Sequence, residues 1–421
     1  MATHEYDIVL YGATGFTGKF VAQYLAEHPQ VPRIALAGRN ASKVRAVRDG
    51  LVNVTKERIE SIGLVEASAG DKASLQRLAA LAKVVINTVG PFGQLGGFDV
   101  AKAAAEAGTG YVDLTGESDV YADEVKGIHA IAQKTNAVII PSSGFDCLPF
   151  DLSTYFAVQE VKKVLGPDAE IDHVLLGYDV KGSVSGGTFA SALSMAKHPY
   201  ALSYSHPYWF SPVQGVMKTQ PYKTRFLPQF NKSGSYTMFA PHNTRVVNRS
   251  WGLQEEAHLP THYGPEFRYL EAEVSWSSLG AFLVSCKFLL ATWMFNNMPF
   301  IGRMAQTVLP QGSGSSLEEQ LKGHAKLRTI AYGRDGKTKG LSVFSVQGDP
   351  GYYKTGAFLS ESALAIALDK DRLTPMAHRG GVLTWATAGP EVVMERLVKY
   401  GGVTFGAADI TNEANPSKVL A

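Results

Sequence analysis

Asp7-Ile8-Val9-Leu10-Tyr11 runs without a break into Gly12-Ala13-Thr14-Gly15-Phe16-Thr17-Gly18, and then into the segment 19–27. The first five residues are apolar and rich in β-formers, the pattern of a strand buried on both faces. In 19–27, Phe20, Val21, Tyr24 and Leu25 recur at helical spacing. Strand, glycine turn and helix, in that order, is the setting in which glycines bind phosphate. One glycine lets the turn take positive φ. A second lets the backbone approach a pyrophosphate, and the helix N-terminus offers its free N–H groups to the anion. The spacing is GxxGxxG, because Ala13 stands where the GxGxxG motif has its first glycine. Alone, such a turn also suits plain packing. With a strand before it, a helix after it and another strand following, it favours a dinucleotide site over Gly12, Ala13, Thr14, Gly15, Phe16, Thr17 and Gly18.

The following strand, 33–37, ends in Gly38-Arg39-Asn40. An acidic residue there binds the 2′-hydroxyl of NAD, whereas an arginine accommodates the 2′-phosphate of NADP. Arg39, with Asn40 beside it and Lys43 a helical turn further on, points to NADP, with NAD the weaker candidate. The competing reading is an ordinary cationic surface loop. Further strands are expected at 62–67, 84–87, 111–114 and 137–141, with helices between them. That alternation predicts an α/β fold, a doubly wound parallel sheet covered on both faces. Asp71 follows the third strand. Asn87, Thr88, Gly90, Pro91 and Phe92 follow the fourth, at the carboxyl edge where a cofactor lies. The stretch 142–151, SSGFDCLPFD, reads as the floor of a nicotinamide site. It also reads as a helix start, with Asp151 or Ser153 as N-cap and Pro149 in the first turn. Cys147 reads as packing.

YGATGFTGK (11–19), ALAGRN (35–40), VVINTVGPFGQLG (84–96), YVDLTGE (111–117) and SGFDCLPFD (143–151), in this order, resemble the saccharopine dehydrogenase-like oxidoreductases. Within them the chain is similar to the branch of the trans-acting enoyl reductases. Ser185-Gly186-Gly187-Thr188 with Ser191, Arg379–Thr384, Arg396-Leu397 and Val403-Thr404-Phe405 extend the similarity over nearly the whole chain. Trp385 departs from it, standing where a proline is common. No polar substrate motif comparable to that of a true saccharopine dehydrogenase is present. The resemblance implies a Rossmann-like domain with an inserted α+β substrate domain and NADP as cofactor. It also implies hydride transfer to the C=C bond of a hydrophobic enoyl substrate. Two alternatives stay open: an imine reductase or amino-acid-conjugate dehydrogenase, and a non-catalytic NADP-binding protein resting on a membrane or lipid surface. Asp146 and Thr188 are expected to line the nicotinamide end, by position; no catalytic residue is assigned.

A chain of 421 residues suits two or three domains. They are expected at 1–150, at 151–375 for the substrate or dimerisation domain, and at 376–421 as a return to the nucleotide-binding half. Lys plus Arg is 40 and Asp plus Glu is 38, a net charge of +2, which argues against a nucleic-acid partner. Two cysteines, Cys147 and Cys286, make neither a disulfide scaffold nor a zinc ribbon and fit a reducing compartment. With no signal peptide at the N-terminus, a cytoplasmic protein is expected. Segment 199–295 holds 19 of the chain's 43 aromatics. It is expected to form a domain with an antiparallel sheet, turning at places such as 231–235, and to line an apolar pocket, a core or a homodimer interface. Five histidines, His198 just before it and His206, His242, His258 and His262 within it, lack metal-ligand spacing, so no metal is expected. Between Glu273 and Arg303 the one charge is Lys287. The segment 279–295 is therefore expected as a shielded helix, with contact to a membrane or lipid droplet as the alternative. A flexible link at 311–316, a polar helix at 318–329 and a hairpin about 333–336 complete the expectation.

Overall fold

The computed structural model describes residues 4–183, 185–195, 200, 205–217, 224–237, 239–298 and 313–420. His198, Gln311 and Gly312 lie outside them. The strands are β1 (Tyr6–Tyr11), β2 (Ile34–Gly38), β3 (Gly63–Glu66), β4 (Ala82–Asn87), β5 (Gly110–Asp113), β6 (Val138–Ile140) and β7 (Ile171–Lys181). Then come β8 (Arg225–Leu227), β9 (Lys232–Ser235), β10 (Tyr269–Ser275), β11 (His324–Gly333), β12 (Lys339–Gln347), β13 (Gly381–Val382) and β14 (Val403–Asp409). They form two seven-stranded sheets.

The first sheet has the order β13-β6-β5-β4-β1-β2-β3, with every neighbouring pair parallel. β2 to β5 are linked to their predecessors by helices that include Phe16–Glu27, Lys72–Leu81 and Gly97–Ala107. Helix Ser118–Thr135 links β5 to β6. This is the Rossmann-like sheet expected. Strand order reverses between β1 and β4, which opens a crevice outside their carboxyl ends.

The second sheet has the order β14-β12-β11-β7-β10-β9-β8 and is antiparallel except for the β7–β10 pair. The hairpin about 333–336 is present. The polar helix expected at 318–329 is only Leu317–Leu321, started by a capping box between Ser316 and Glu319. From His324 onward the chain is strand β11, hydrogen-bonded to β7 on one side and β12 on the other. Two full ladders outweigh the local helical preference there. The segment 231–235 is no turn either: Lys232–Ser235 is β9, paired with β8 and β10.

Helix Tyr353–Leu368 packs on β1, β4 and β5, so the chain re-enters the nucleotide half at Tyr353, before 376. β13 then extends the parallel sheet, but β14 pairs with β12 in the second one. Ile8, Leu10 and Ile86 of the first sheet share one buried cluster with Phe150, Tyr178, Leu327 and Phe344.

The apolar helix is Ser278–Asn297. Its inner side is tied down: Tyr236 N–H donates to Ser285 Oγ at 2.9 Å, and Phe288 packs on Tyr236 and Ala240. Its outer side is not: Leu279, Phe282, Leu283, Leu290 and Trp293 are each more than half exposed. The shielding expected from the chain's own domain thus holds for one face. Among the described residues, no helix is long and apolar enough to cross a membrane.

Candidate active site

The glycine turn joins β1 to helix Phe16–Glu27, and its three glycines do different things. Gly12 has φ +94°, and a Cβ there would lie 2.7 Å from both Thr88 Oγ1 and Val89 Cγ2. A Cβ on Gly18 would strike the Gly12 carbonyl. Both are therefore needed for the turn to close on β4 and on its own helix. Gly15 has an ordinary extended backbone (φ −70°) and is the helix N-cap, with no side-chain cap. A Cβ on it would meet only backbone oxygens, Gly12 O at 3.2 Å and Thr88 O at 3.8 Å. The helix N-terminus has no acidic residue in its first turn. Its N–H groups are the kind that take a phosphate. Thr88 Oγ1 donates to the carbonyls of Tyr11 (3.2 Å) and Gly12 (3.1 Å), which fixes the end of β4 against the turn. Ala13 is buried in the core, and Thr17 is buried beside it.

Arg39 follows β2, is exposed, and makes no ion pair among the described residues. Lys43 and Lys19, with Thr14 and Gln23, line a cleft of about 440 Å³ between the first two helices. Asn40 is spent locally: its Oδ1 accepts from Lys43 N–H (3.0 Å) and caps the helix Ala41–Asp49. Asp71 likewise caps its own helix through Ser74 N–H (3.2 Å). Asn87 is fully buried, donating to Tyr111 Oη (3.1 Å) and accepting from Val89 N–H (3.0 Å). All three stand at or after the ends of strands β2, β3 and β4, and their side chains brace that edge.

Beyond β4 the chain turns through a cis Gly90–Pro91 bond. Glu117, fully buried after β5, holds this loop. Phe92 N–H donates to its Oε1 (2.7 Å), Gly93 N–H to its Oε2 (3.1 Å), and Ser191 Oγ to its Oε1 (2.8 Å). Burial raises its pKa in spite of these donors. Asp113 Oδ1 accepts from Thr115 and Ser142 N–H (2.9 Å each) and its Oδ2 from Tyr111 Oη (2.8 Å). Burial pushes its carboxyl up to about 6. His242 bridges Ser118 Oγ (2.8 Å) and Ser142 Oγ (3.0 Å), and burial pushes its imidazole down to about 3, so it is neutral. Sequence reading passed over Glu117, Asp113 and His242. The signal for the first two was their place at the end of β5; His242 had none.

The stretch after β6 is where the two halves meet. Asp151 is not the N-cap expected, nor is Ser153. Helix Leu148–Leu165 begins at Cys147, with Pro149 in its first turn. The Asp151 carboxylate accepts instead from Ser250 Oγ (2.5 Å) and Ala386 N–H (3.0 Å), partners remote in sequence. Trp385 donates its indole N–H to Ser143 Oγ (3.1 Å) and so pins the same loop. Asp146 Oδ1 is out of solvent and has no hydrogen-bond partner among the described residues. Burial pushes its carboxyl up to about 7. Facing it from the second sheet are Tyr178 on β7 and Glu271 on β10. Glu271 accepts from Tyr269 Oη (2.8 Å) and Asn243 Nδ2 (3.1 Å), and burial pushes it up to about 8. Phe145, Phe150, Tyr178 and Phe239 form a continuous aromatic wall here, with centroids 5.4 to 6.5 Å apart. Thr188 is exposed. Its Oγ1 is 2.5 Å from Tyr352 Oη, whose ring meets Phe16 of the glycine turn at 5.4 Å.

A sequence model of the saccharopine dehydrogenase NADP-binding domain matches residues 8–140. A trans-acting enoyl reductase of Mycobacterium bovis is 34% identical over 434 aligned residues, covering 97% of this chain and 99% of that one. The trans-acting enoyl reductase of Mycobacterium ulcerans is 33% identical, covering 96% and 98%. The chain belongs to the saccharopine dehydrogenase-like oxidoreductases, in the branch of the trans-acting enoyl reductases. Saccharopine dehydrogenase (L-Glu forming) of Saccharomyces cerevisiae shares the fold, with a TM-score of 0.53 at 13% identity over 96% of this chain and 99% of that one.

For a member of this family the cofactor is NADP, and the residues fit it. Gly15 leaves room at an uncapped helix N-terminus for a pyrophosphate. Arg39, without an ion pair among the described residues, stands after β2, where a 2′-phosphate is recognised. When bound, NADPH supplies a hydride from its nicotinamide. The share of the protein is to hold it along the β1 and β4 ends and to keep water from the aromatic wall beyond.

Proposed function

We propose that the protein reduces the C=C bond of a hydrophobic enoyl substrate with NADPH, in the cytoplasm. One observation supports this most: the wall beside Asp146 is aromatic, and among the described residues no cation acts on Asp146. Arg249, buried in the adjacent helix Ala240–Glu256, donates to the carbonyls of Val382 and Phe210 and to His129. A polar amino-acid conjugate would need cations for its carboxylates; an acyl chain needs rings and dryness. The enoyl reductase names of the relatives agree with this choice. Thr188 and Asp146 then border the space beside the nicotinamide, with Glu117 holding its floor.

A second reading, reduction of a C=N bond, draws on Glu271 and Asp146, two acids that could face an iminium. The test is NADPH consumption by the purified protein with medium-chain 2-enoyl thioesters and with cyclic imines, at matched concentrations. Consumption with the thioesters, and a saturated product by mass spectrometry, is expected. Turnover of imines alone would transfer the assignment to the second reading.

A further inference from the structure

At the carboxyl edge, Asp146 shares with Asp119 a buried carboxyl oxygen that has no hydrogen-bond partner among the described residues, and of the two it is Asp146 that adjoins the aromatic wall. Glu117, Asp113 and Asp151 each accept two or more hydrogen bonds. Asp146 Oδ1 is enclosed and accepts none among the described residues. An unpaired buried carboxyl oxygen costs roughly 1–3 kcal/mol and so calls for an explanation. Its surroundings show what could. It follows β6, at the carboxyl edge where the reactive end of a dinucleotide lies. Phe145 N–H donates to Thr355 Oγ1 (3.0 Å), which ties this loop to the segment that carries Tyr352. Tyr352 in turn meets Phe16 of the glycine turn. The loop of Asp146 is thus fixed to the cofactor side and to the aromatic wall at once.

We propose that Asp146 is the acid of the reaction, giving its proton to the substrate carbon beside the one that receives the hydride. This rests on the enoyl reading above. The hydride, with its electron pair, forms a C–H bond at the β-carbon. The C=C π pair moves to the α-carbon and its carbonyl as an enolate. The α-carbon takes the proton from the Asp146 carboxyl, which is left as carboxylate, and solvent reprotonates it after product leaves. NADPH is the reductant and NADP⁺ the oxidised product. The requirement that Asp146 hold a proton at neutral pH agrees with its titration near 7.

The groups that face Asp146 set how this proton is held. Glu271 and Tyr178 lie across from it on the second sheet, with Tyr269 behind Glu271. Cys147, a buried thiol raised by its surroundings, adjoins it in the chain. Asp151, titrating at about 6, stands a turn along the helix. All are acids, and none supplies a positive charge. Among the described residues, Asp146 therefore ionises against its neighbours, and a bound nicotinamidium would supply the missing positive charge.

That gives a test needing no substrate. Fluorescence titrations of NADP⁺ and NADPH are run across the neutral range with wild type, Asp146→Asn and Glu271→Gln, each checked for an unchanged melting temperature. Ionised Asp146 should tighten NADP⁺ relative to NADPH by about tenfold as pH rises through its titration, a shift of one pKa unit. Asp146→Asn should abolish this step, whereas Glu271→Gln should keep it. A flat ratio in wild type, or a step that survives in Asp146→Asn, overturns the proposal. With the enoyl thioester, Asp146→Asn should lower kcat by 10²- to 10⁴-fold with little change in the KM for NADPH, the range for a lost general acid. Asp146→Glu should recover part of it. A variant with full kcat overturns the proposal. A wild type that shows the binding step but no enoyl turnover defeats the enoyl reading and leaves Asp146 as the acid beside the nicotinamide.

Discussion

On the proposed cofactor site, Gly15 and Arg39 would divide the recognition of NADPH between shape and charge. Gly15 sits in backbone that any residue adopts, so Gly15→Val should fold. A branched side chain there would enter the space of the pyrophosphate, and NADPH binding should be lost beyond detection in a fluorescence titration. A folded Gly15→Val with unchanged affinity would contradict the phosphate-site assignment. Gly12 and Gly18 do not offer so clean a test, because side chains there collide with backbone or with Thr88. Among the described residues, Arg39 has no competing carboxylate. Losing a charge-assisted hydrogen bond to the 2′-phosphate costs about 1.5–3 kcal/mol, or about 10- to 100-fold in affinity. Arg39→Asp should therefore weaken NADPH by at least that much and leave NADH little changed. Equal affinity of the unaltered protein for both cofactors would contradict it. These two residues could be singled out in the sequence because their positions depend on local order: a turn after one strand, a cation after the next. Asp151 was misread because its partners, Ser250 and Ala386, are remote in sequence.

The helix Ser278–Asn297 and the strand β11 show what decides an element once tertiary contacts act. In the helix, Phe288 faces Tyr236 and Ala240, whereas Leu283 faces outward. Phe288→Glu should cost about 1–3 kcal/mol in a thermal or denaturant melt, and Leu283→Glu less than about 0.5 kcal/mol. Equal costs would mean that the outer face is covered in solution. The apolar character of this segment was plain from one lysine in 29 residues, Val274 to Gly302. Which face would be covered was not, since that depends on where β9 and β10 lie. β11 was read as a helix over its first half because its alternation is weak until Leu327. Pairing with β7 and β12 made it a strand.

Over the whole molecule, the two sheets share a core, and a buried ionic link ties the helices Phe16–Glu27, Tyr353–Leu368 and Pro390–Lys399 together. Glu361, on the helix that re-enters the nucleotide half, accepts from Tyr24 Oη (2.6 Å) and from Arg396 Nε (2.8 Å), with His28 Nε2 at 3.0 Å. Arg396 also donates to Asp369 and Gln30 (2.6 Å each). Arg396→Ala would leave Glu361 buried without its cation. The expected cost is about 3–5 kcal/mol, read as a lower denaturation midpoint. A loss under about 1 kcal/mol would mean the link is solvated. This docking could not be read in advance. Helical periodicity places a helix in the chain but not against its partner, so the return was expected at 376 and begins at Tyr353.

The most direct measurement is a single turnover with NADPH deuterated at C4, on the face the enzyme uses, and a 2-enoyl thioester, with the product analysed by mass spectrometry and NMR. One deuterium should appear at the β-carbon of a saturated product, and the α-carbon should take its hydrogen from solvent by way of Asp146. Deuterium retained in the cofactor, with the C=C bond intact for every thioester tried and the protein saturated with NADPH, would contradict enoyl reduction at this site.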